Sequence, residues 1–132
     1  MDNEMLALLV CGQDDPYLSL KQVLEKQGIR TVRARTYSEA PSLLEQFGDP
    51  QVIFTDTVLP DGTWADALSL SAVVQAWVPV IVVSRLVDLG LYIEVLERGA
   101  SDFIVPPFVD SDLNHVMRNA MWNAKGRAAS AV

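Results

Sequence analysis

The sequence predicts an α/β fold: a doubly wound parallel sheet assembled from five consecutive βα units. Three observations lead there. Short, continuous apolar runs alternate with segments whose apolar residues recur at helical spacing. Glycines, prolines and small polar residues punctuate the joins between them. The length, 132 residues, fits one domain.

Met5 to Cys11 is the first run, short and apolar throughout, as a strand buried on both faces should be. Asp15 and Pro16 then supply an N-cap and a first helical residue. Tyr17, Leu20, Val23 and Leu24 follow at helical spacing, and Gly28 closes the helix. Ile29 to Ala34, alternating apolar and basic, reads as a strand near a sheet edge. Ser38 is placed to cap a second helix with Pro41 near its start, Leu43, Leu44 and Phe47 inward, and Gly48 as its stop. Val52 to Phe54 is a third buried strand, ending at Thr55-Asp56. Pro60-Asp61-Gly62 has turn chemistry. Trp64 to Trp77 carries a helical pattern. Val78 to Val83 is a fourth strand, with Pro79 tolerable only near its start. Leu89 to Arg98 is a helix stopped by Gly99, and Phe103 to Val105 a fifth strand ended by Pro106-Pro107. Asp110 to Lys125 is the last helix, capped by Asp110 or Ser111. Strands joined by helices run parallel, with helices on both faces. One domain is expected over 1–125, with 126–132 as a flexible tail or the start of a linker.

Composition narrows the function. Half of the residues are hydrophobic and 20% are charged, which excludes intrinsic disorder. Ten basic against seventeen acidic residues give a formal charge of −7, a poor match to phosphate backbones, so no direct nucleic-acid binding is expected. No apolar run reaches the length of a membrane span. The lone cysteine, Cys11, has no intramolecular disulfide partner, and Met1-Asp2-Asn3-Glu4 is acidic where a secretory signal is basic. The expected setting is the reducing cytoplasm.

Open parallel sheets place their sites beyond the carboxyl ends of the strands. There the sequence puts Gly12, Gln13, Asp14 and Asp15 after the first strand, Asp56 after the third, Ser84 after the fourth and Pro106-Pro107 after the fifth. Carboxylates gathered at one edge repel unless a cation or phosphoryl group engages them. Asp14 and Asp15 also fit plain helix capping.

Three segments, Asp56-Thr57-Val58-Leu59-Pro60-Asp61-Gly62, Pro79 to Ser84 and Gly99 to Phe108, come in an order and spacing that resembles the receiver domain of two-component response regulators. The resemblance runs from Leu6 to about Ala124. It implies a flavodoxin-like fold with strand order 2-1-3-4-5 and a non-enzymatic switch. It implies that Asp56 takes a phosphoryl group from a sensor histidine kinase or phosphotransfer protein. It further implies Mg²⁺ held by an acidic pair after the first strand, by Asp56 and by the Val58 carbonyl. Ser84 becomes the switch hydroxyl, and Phe103 the switch aromatic that reshapes the surface of the fourth helix, fifth strand and fifth helix. That surface is where a homodimer, an output domain or a partner protein would dock.

Two departures follow from the same comparison. Cys11 and Gly12 stand where the acidic pair belongs, and neither offers Mg²⁺ a hard side-chain oxygen. Asp14 and Asp15 come two or three residues late and are the remaining candidates. The lysine expected after the fifth strand is Pro106, and no Lys or Arg in that loop replaces it. Metal and charge clamps supply most of the stabilisation in phosphoryl transfer, so slow or absent phosphorylation is expected. The alternative is a phosphorylation-independent pseudo-receiver acting as a protein-interaction module. A nucleotide or flavin enzyme is disfavoured, because Gly12-Gln13-Asp14-Asp15-Pro16 lacks the phosphate-cradling spacing.

Among the remaining residues, Cys11 reads as a small buried hydrophobe and His115 as a surface residue. The Met117, Met121 and Trp122 stripe on the last helix fits core packing better than a dimerisation face.

Overall fold

A five-stranded, fully parallel sheet forms the centre of the computed structural model, which describes residues 5–73 and 77–130. Its strands are β1 Leu6–Val10, β2 Arg30–Ala34, β3 Val52–Asp56, β4 Val80–Val83 and β5 Asp102–Ile104. They lie side by side in the order β2-β1-β3-β4-β5. The order reverses direction at β1, the switch point of a flavodoxin-like α/β fold.

The alternation of side chains along the buried strands sorts the core into two faces. Ala7 and Leu9 of β1 and Phe54 of β3 pack with Tyr17, Leu20, Leu24, Leu113 and Met117. These come from α1 (Asp14–Lys26) and α5 (Asp110–Ser130). Leu8, Val10 and Ile53 point the other way, onto Ala40, Leu44, Ala67 and Leu70 from α2 (Ala40–Phe47), α3 (Trp64–Leu68) and the 3-10 turn Ser69–Ala72. Val95 of α4 (Leu89–Glu97) meets Val82 and Trp64 on that second face. Among the described residues no helix is long and apolar enough to cross a membrane.

Several local expectations are corrected. The segment α1 opens at Gln13, without a side-chain cap bond, and Asp15 (φ −107°, ψ 124°) and Pro16 (φ −93°, ψ 16°) form a non-helical kink inside it, so Asp15 supplies no side-chain cap and Pro16 is not a helical first residue. The peptide bonds Asp15–Pro16 and Pro106–Pro107 are cis. Ser38 is not the cap of the second helical segment either. Thr36 Oγ1 accepts from Glu39 N and starts a 3-10 turn, Tyr37–Glu39, that runs into α2. The helical pattern from Trp64 splits into α3 and the 3-10 turn, and residues 74–76 lie outside the described residues. A second ladder, antiparallel, pairs Val58–Leu59 with Gly62–Thr63 around the Pro60-Asp61 turn. The last helix continues through Ser130, past the Lys125 boundary read from the sequence. Gly28 and Gly99 have φ of 83° and 107° directly after α1 and α4, as residues that stop a helix in the left-handed region should.

On the outermost strand, β5, the amide of Phe103 is taken by the Asp102 carboxylate at 2.7 Å.

Candidate functional site

The carboxyl ends of β1, β3 and β4 meet at one edge of the sheet, and the buried charge there is Asp56. It closes β3 in register with Val83 of β4, and it is 1% exposed. An ionised carboxylate so deep must be paired. Asp56 Oδ1 accepts from Thr57 N at 2.7 Å and from Arg85 Nη1 at 3.1 Å, and Oδ2 accepts from Arg85 Nη2 at 2.9 Å. The guanidinium therefore grips both oxygens in a fork, the arrangement that gives an Arg–carboxylate pair its directional strength.

Arg85 does more than neutralise Asp56. Its Nη2 also donates to Gln13 Oε1 at 3.2 Å and to the Asp15 carbonyl oxygen. One side chain, from the loop that follows β4, thus links the loop after β1 to the end of β3. The side chain remains 36% exposed, so the pair sits at the mouth of the crevice with its anion inside and its cation at the rim.

A second arginine lies beside the first strand's end. Arg33 of β2 stacks over the Tyr17 ring at 3.9 Å, donates from Nε to the Cys11 carbonyl at 3.0 Å and pairs through Nη1 with Asp14 Oδ1 at 3.0 Å. Asp14 is thereby committed to Arg33 and is 68% exposed. Asp15 offers its main-chain oxygen to Arg85. Neither aspartate is joined to Asp56 in a carboxylate cluster, and among the described residues no group of three or more His, Cys, Asp or Glu is placed to hold a metal ion.

Cys11 is fully buried, and its thiol is pushed up to about 12, first by burial and then by the nearby Asp56 charge. A thiol held protonated is a poor metal ligand and a poor nucleophile. Gly12 cannot be exchanged for an acid without cost, because a Cβ there would stand 2.8 Å from Pro60 Cδ and 3.1 Å from the Arg35 carbonyl oxygen. The donor set as arranged does not fit Mg²⁺: Cys11 and Gly12 offer no hard side-chain oxygen, Asp14 is paired with Arg33, and Arg85 holds both oxygens of Asp56, the one buried carboxylate among the described residues.

Ser84 is 6% exposed directly after β4; its Oγ donates to the Leu86 carbonyl at 2.8 Å and accepts from Leu86 N at 3.3 Å. Val58, proposed for its carbonyl, pairs with Thr63 in the small ladder and has a 66% exposed side chain. Phe103 is half-buried and meets Tyr92 of α4 edge-on, centroids 5.7 Å apart at 74°. His115 is exposed, its Nε2 3.2 Å from Asn119 Nδ2.

Sequence reasoning missed both arginines. It searched the loop after the fifth strand for a replacement cation, but the cation comes from the loop after the fourth. The signal was present: Arg85 directly follows Ser84 at the same sheet edge. Arg33 was read as an edge-strand charge. Its position opposite Leu9, two residues before Cys11, was the clue.

The sequence matches the family described as "Response regulator receiver domain" over residues 10–118. No curated protein sequence matches it significantly. Among solved structures, a response regulator from Chloroflexus aurantiacus J-10-fl shares 21% identity with a TM-score of 0.78, covering 91% of this chain and 99% of that one. A response regulator receiver domain protein from Clostridium thermocellum shares 21% identity with a TM-score of 0.75, covering 92% and 97%. The beryllofluoride-activated NtrC4 receiver domain dimer shares 23% identity with a TM-score of 0.74, covering 90% and 98%. At these identities the structural likeness concerns the fold.

Proposed function

This chain belongs to the response regulator receiver domain family, and we propose that it is a two-component receiver whose output runs through protein contacts without phosphoryl transfer. One observation carries the reading: Asp56, at the phosphoacceptor position, is 1% exposed with both carboxylate oxygens gripped by Arg85. An attacking oxygen must be available in line with the incoming phosphorus, and it must then shed charge onto oriented cations. Here the oxygens are already bonded, Pro106 brings no cation, and the residues after β1 do not suit Mg²⁺. The fold keeps a receiver's shape with its charge satisfied internally.

The partners of this reading are a histidine kinase or phosphotransfer protein that docks without transferring a phosphoryl group, and an output domain or partner protein, in the cytoplasm. The receiver unit is taken as residues 1–125 with 126–132 leading away from it. The fourth-helix, fifth-strand, fifth-helix face suits docking or self-association. Leu89 and Ile93 are 69% and 48% exposed there, and Leu89 lines a groove of about 260 Å³ with Val87, Tyr92, Phe103 and Val105.

A second reading keeps phosphorylation. Its support is the Asp-Thr-Val-Leu-Pro-Asp-Gly context of Asp56 with the Ser84 hydroxyl at the neighbouring strand end. Ser84 would then hydrogen-bond the phosphoryl group and Phe103 would follow. The two readings part in one experiment: incubation with acetyl phosphate and Mg²⁺, followed by intact mass and by partner binding of wild type and Asp56→Asn. No adduct is expected, and partner binding of the wild type should be the same with and without the phosphodonor. An adduct that Asp56→Asn abolishes, together with lost output, establishes phosphorylation instead.

A further inference from the structure

We propose that Arg85 is the resident cation of this receiver site, a guanidinium latch that takes the place of a divalent metal and fastens the loops after β1, β3 and β4 together. The inference deepens the reading of Asp56 given above by naming what controls that site. Four acceptors converge on one guanidinium: Asp56 Oδ1 and Oδ2, Gln13 Oε1 and the Asp15 carbonyl. They come from two loops other than its own, and they are oxygens, as a hard cation would require. The fork serves both Asp56 oxygens, Nη2 shares its two N–H groups among Asp56 Oδ2, Gln13 Oε1 and the Asp15 carbonyl, and no dehydration of a free ion is needed. The surroundings favour it over a metal. Asp14 is held by Arg33, and the Pro60 ring occupies the space that a side chain at Gly12 would need.

The latch also explains where the loop after β4 goes. Ser84 Oγ bonds within that loop, to the Leu86 carbonyl and amide. Leu86 and Val87 stand 76% and 84% exposed beyond it. Arg85 is thus the link that draws this loop toward the crevice. Any event that removes the Asp56 charge frees the loop that presents Leu86 and Val87, with no phosphoryl group needed to transmit the change.

The test compares wild type, Arg85→Met, Asp56→Asn, the double variant and Arg85→Lys by amide hydrogen exchange, with no phosphodonor or partner present. The reporters are Thr57 N, bonded to the Asp56 carboxylate, and Leu86 N, bonded to Ser84 Oγ. Arg85→Met should speed exchange at both by about tenfold or more. Asp56→Asn should speed exchange at Leu86 as much, and the double variant should add little, since both changes break one contact. Arg85→Lys, which keeps charge but not the fork, should fall between. It carries the comparison should Arg85→Met not fold. In parallel, Mg²⁺ titration of wild type should give no saturable change at the Asp56 and Thr57 amides.

Unchanged exchange in the folded Arg85 variants overturns the latch, as does a saturable, Asp56-dependent response of wild type to millimolar Mg²⁺. These outcomes are distinct from those above. A phosphoryl adduct at Asp56 would refute the proposed function while leaving the resting latch in place, and unaltered exchange would refute the latch alone.

Discussion

The ring of Pro60 fills the space in front of Gly12: a Cβ built on that glycine would approach Pro60 Cδ to 2.8 Å. Pro60 is held there by a short loop whose ends pair, Leu59 with Gly62, so it cannot easily withdraw. The first prediction follows. Gly12→Asp, which on paper restores an acid to the receiver pattern, should destabilise the fold by about 1–3 kcal/mol, the usual cost of overpacking. Pro60→Ala in the same chain should recover part of the loss. Urea midpoints of the single and double variants measure both effects. A Gly12→Asp protein as stable as wild type would show that the loop yields.

Asp61 fastens the far side of that loop. Its Oδ1 and Oδ2 accept from the Tyr37 and Ser38 amides at 2.8 and 3.0 Å, so a carboxylate distant in sequence serves the opening of the second helical segment. The Tyr37 amide, foremost, holds the Asp61 carboxyl below the usual carboxylate range. The folded form therefore binds its proton less readily than the unfolded chain does. The contribution is present above the unfolded pKa and disappears as pH falls through the depressed folded one. Asp61→Ala should lower the melting temperature at neutral pH, and the gap to wild type should narrow on acidification. Thermal melts across the acid range test it.

Cys11 works in the opposite direction, at alkaline pH. Burial first and Asp56 second raise its thiol from 9.0 to about 12. The folded state keeps the proton while the unfolded thiol loses it, so stability falls as pH rises from about 9 towards 12. A shift of this size corresponds to a few kcal/mol at its full extent. Cys11→Ala should flatten that part of the stability curve while costing some packing. In native wild type at pH 8 the thiol should resist aromatic disulfide reagents and react once urea unfolds the chain.

The last helix offers a contrast within a turn and a half. Met117 is 3% exposed and joins the core with Leu113 and Ala120, whereas Trp122 is 76% exposed. The apolar stripe expected to be core is thus core only in part. Met117→Ala should cost about 2–5 kcal/mol. Trp122→Ala should change stability by less than about 0.5 kcal/mol. Denaturant unfolding distinguishes them, and a large loss from Trp122→Ala would mean that this ring is covered in solution.

The sheet was legible because β1, β3 and β4 are nearly uninterrupted apolar runs, as strands covered on both faces are, and because helical segments alternate with them. Asp56 and Ser84 could be located at the sheet edge because strand ends are sharp, whereas Phe103, in the middle of β5, was singled out only by the family resemblance. Caps were harder. Ser38 is a good capping residue, but Thr36 starts an extra 3-10 turn ahead of it, a choice set by where the Asp61 carboxylate arrives. Arg85 escaped notice for a related reason: its partners lie 29 and 72 residues away, on Asp56 and Gln13, and no local pattern encodes such a meeting. Trp122 was misjudged because a helical stripe continues past the point where the sheet stops covering it.

The Asp102 side chain, folded back onto the Phe103 amide, has a consequence for association. β5 is only three residues long, and a guest strand arriving along its outer margin would find that donor already spoken for by a negative charge. Growth of the sheet into a neighbouring molecule is discouraged on that flank. Contacts made there have to be read through side chains, which can be selective, and not through main-chain zippering, which would accept almost any extended peptide.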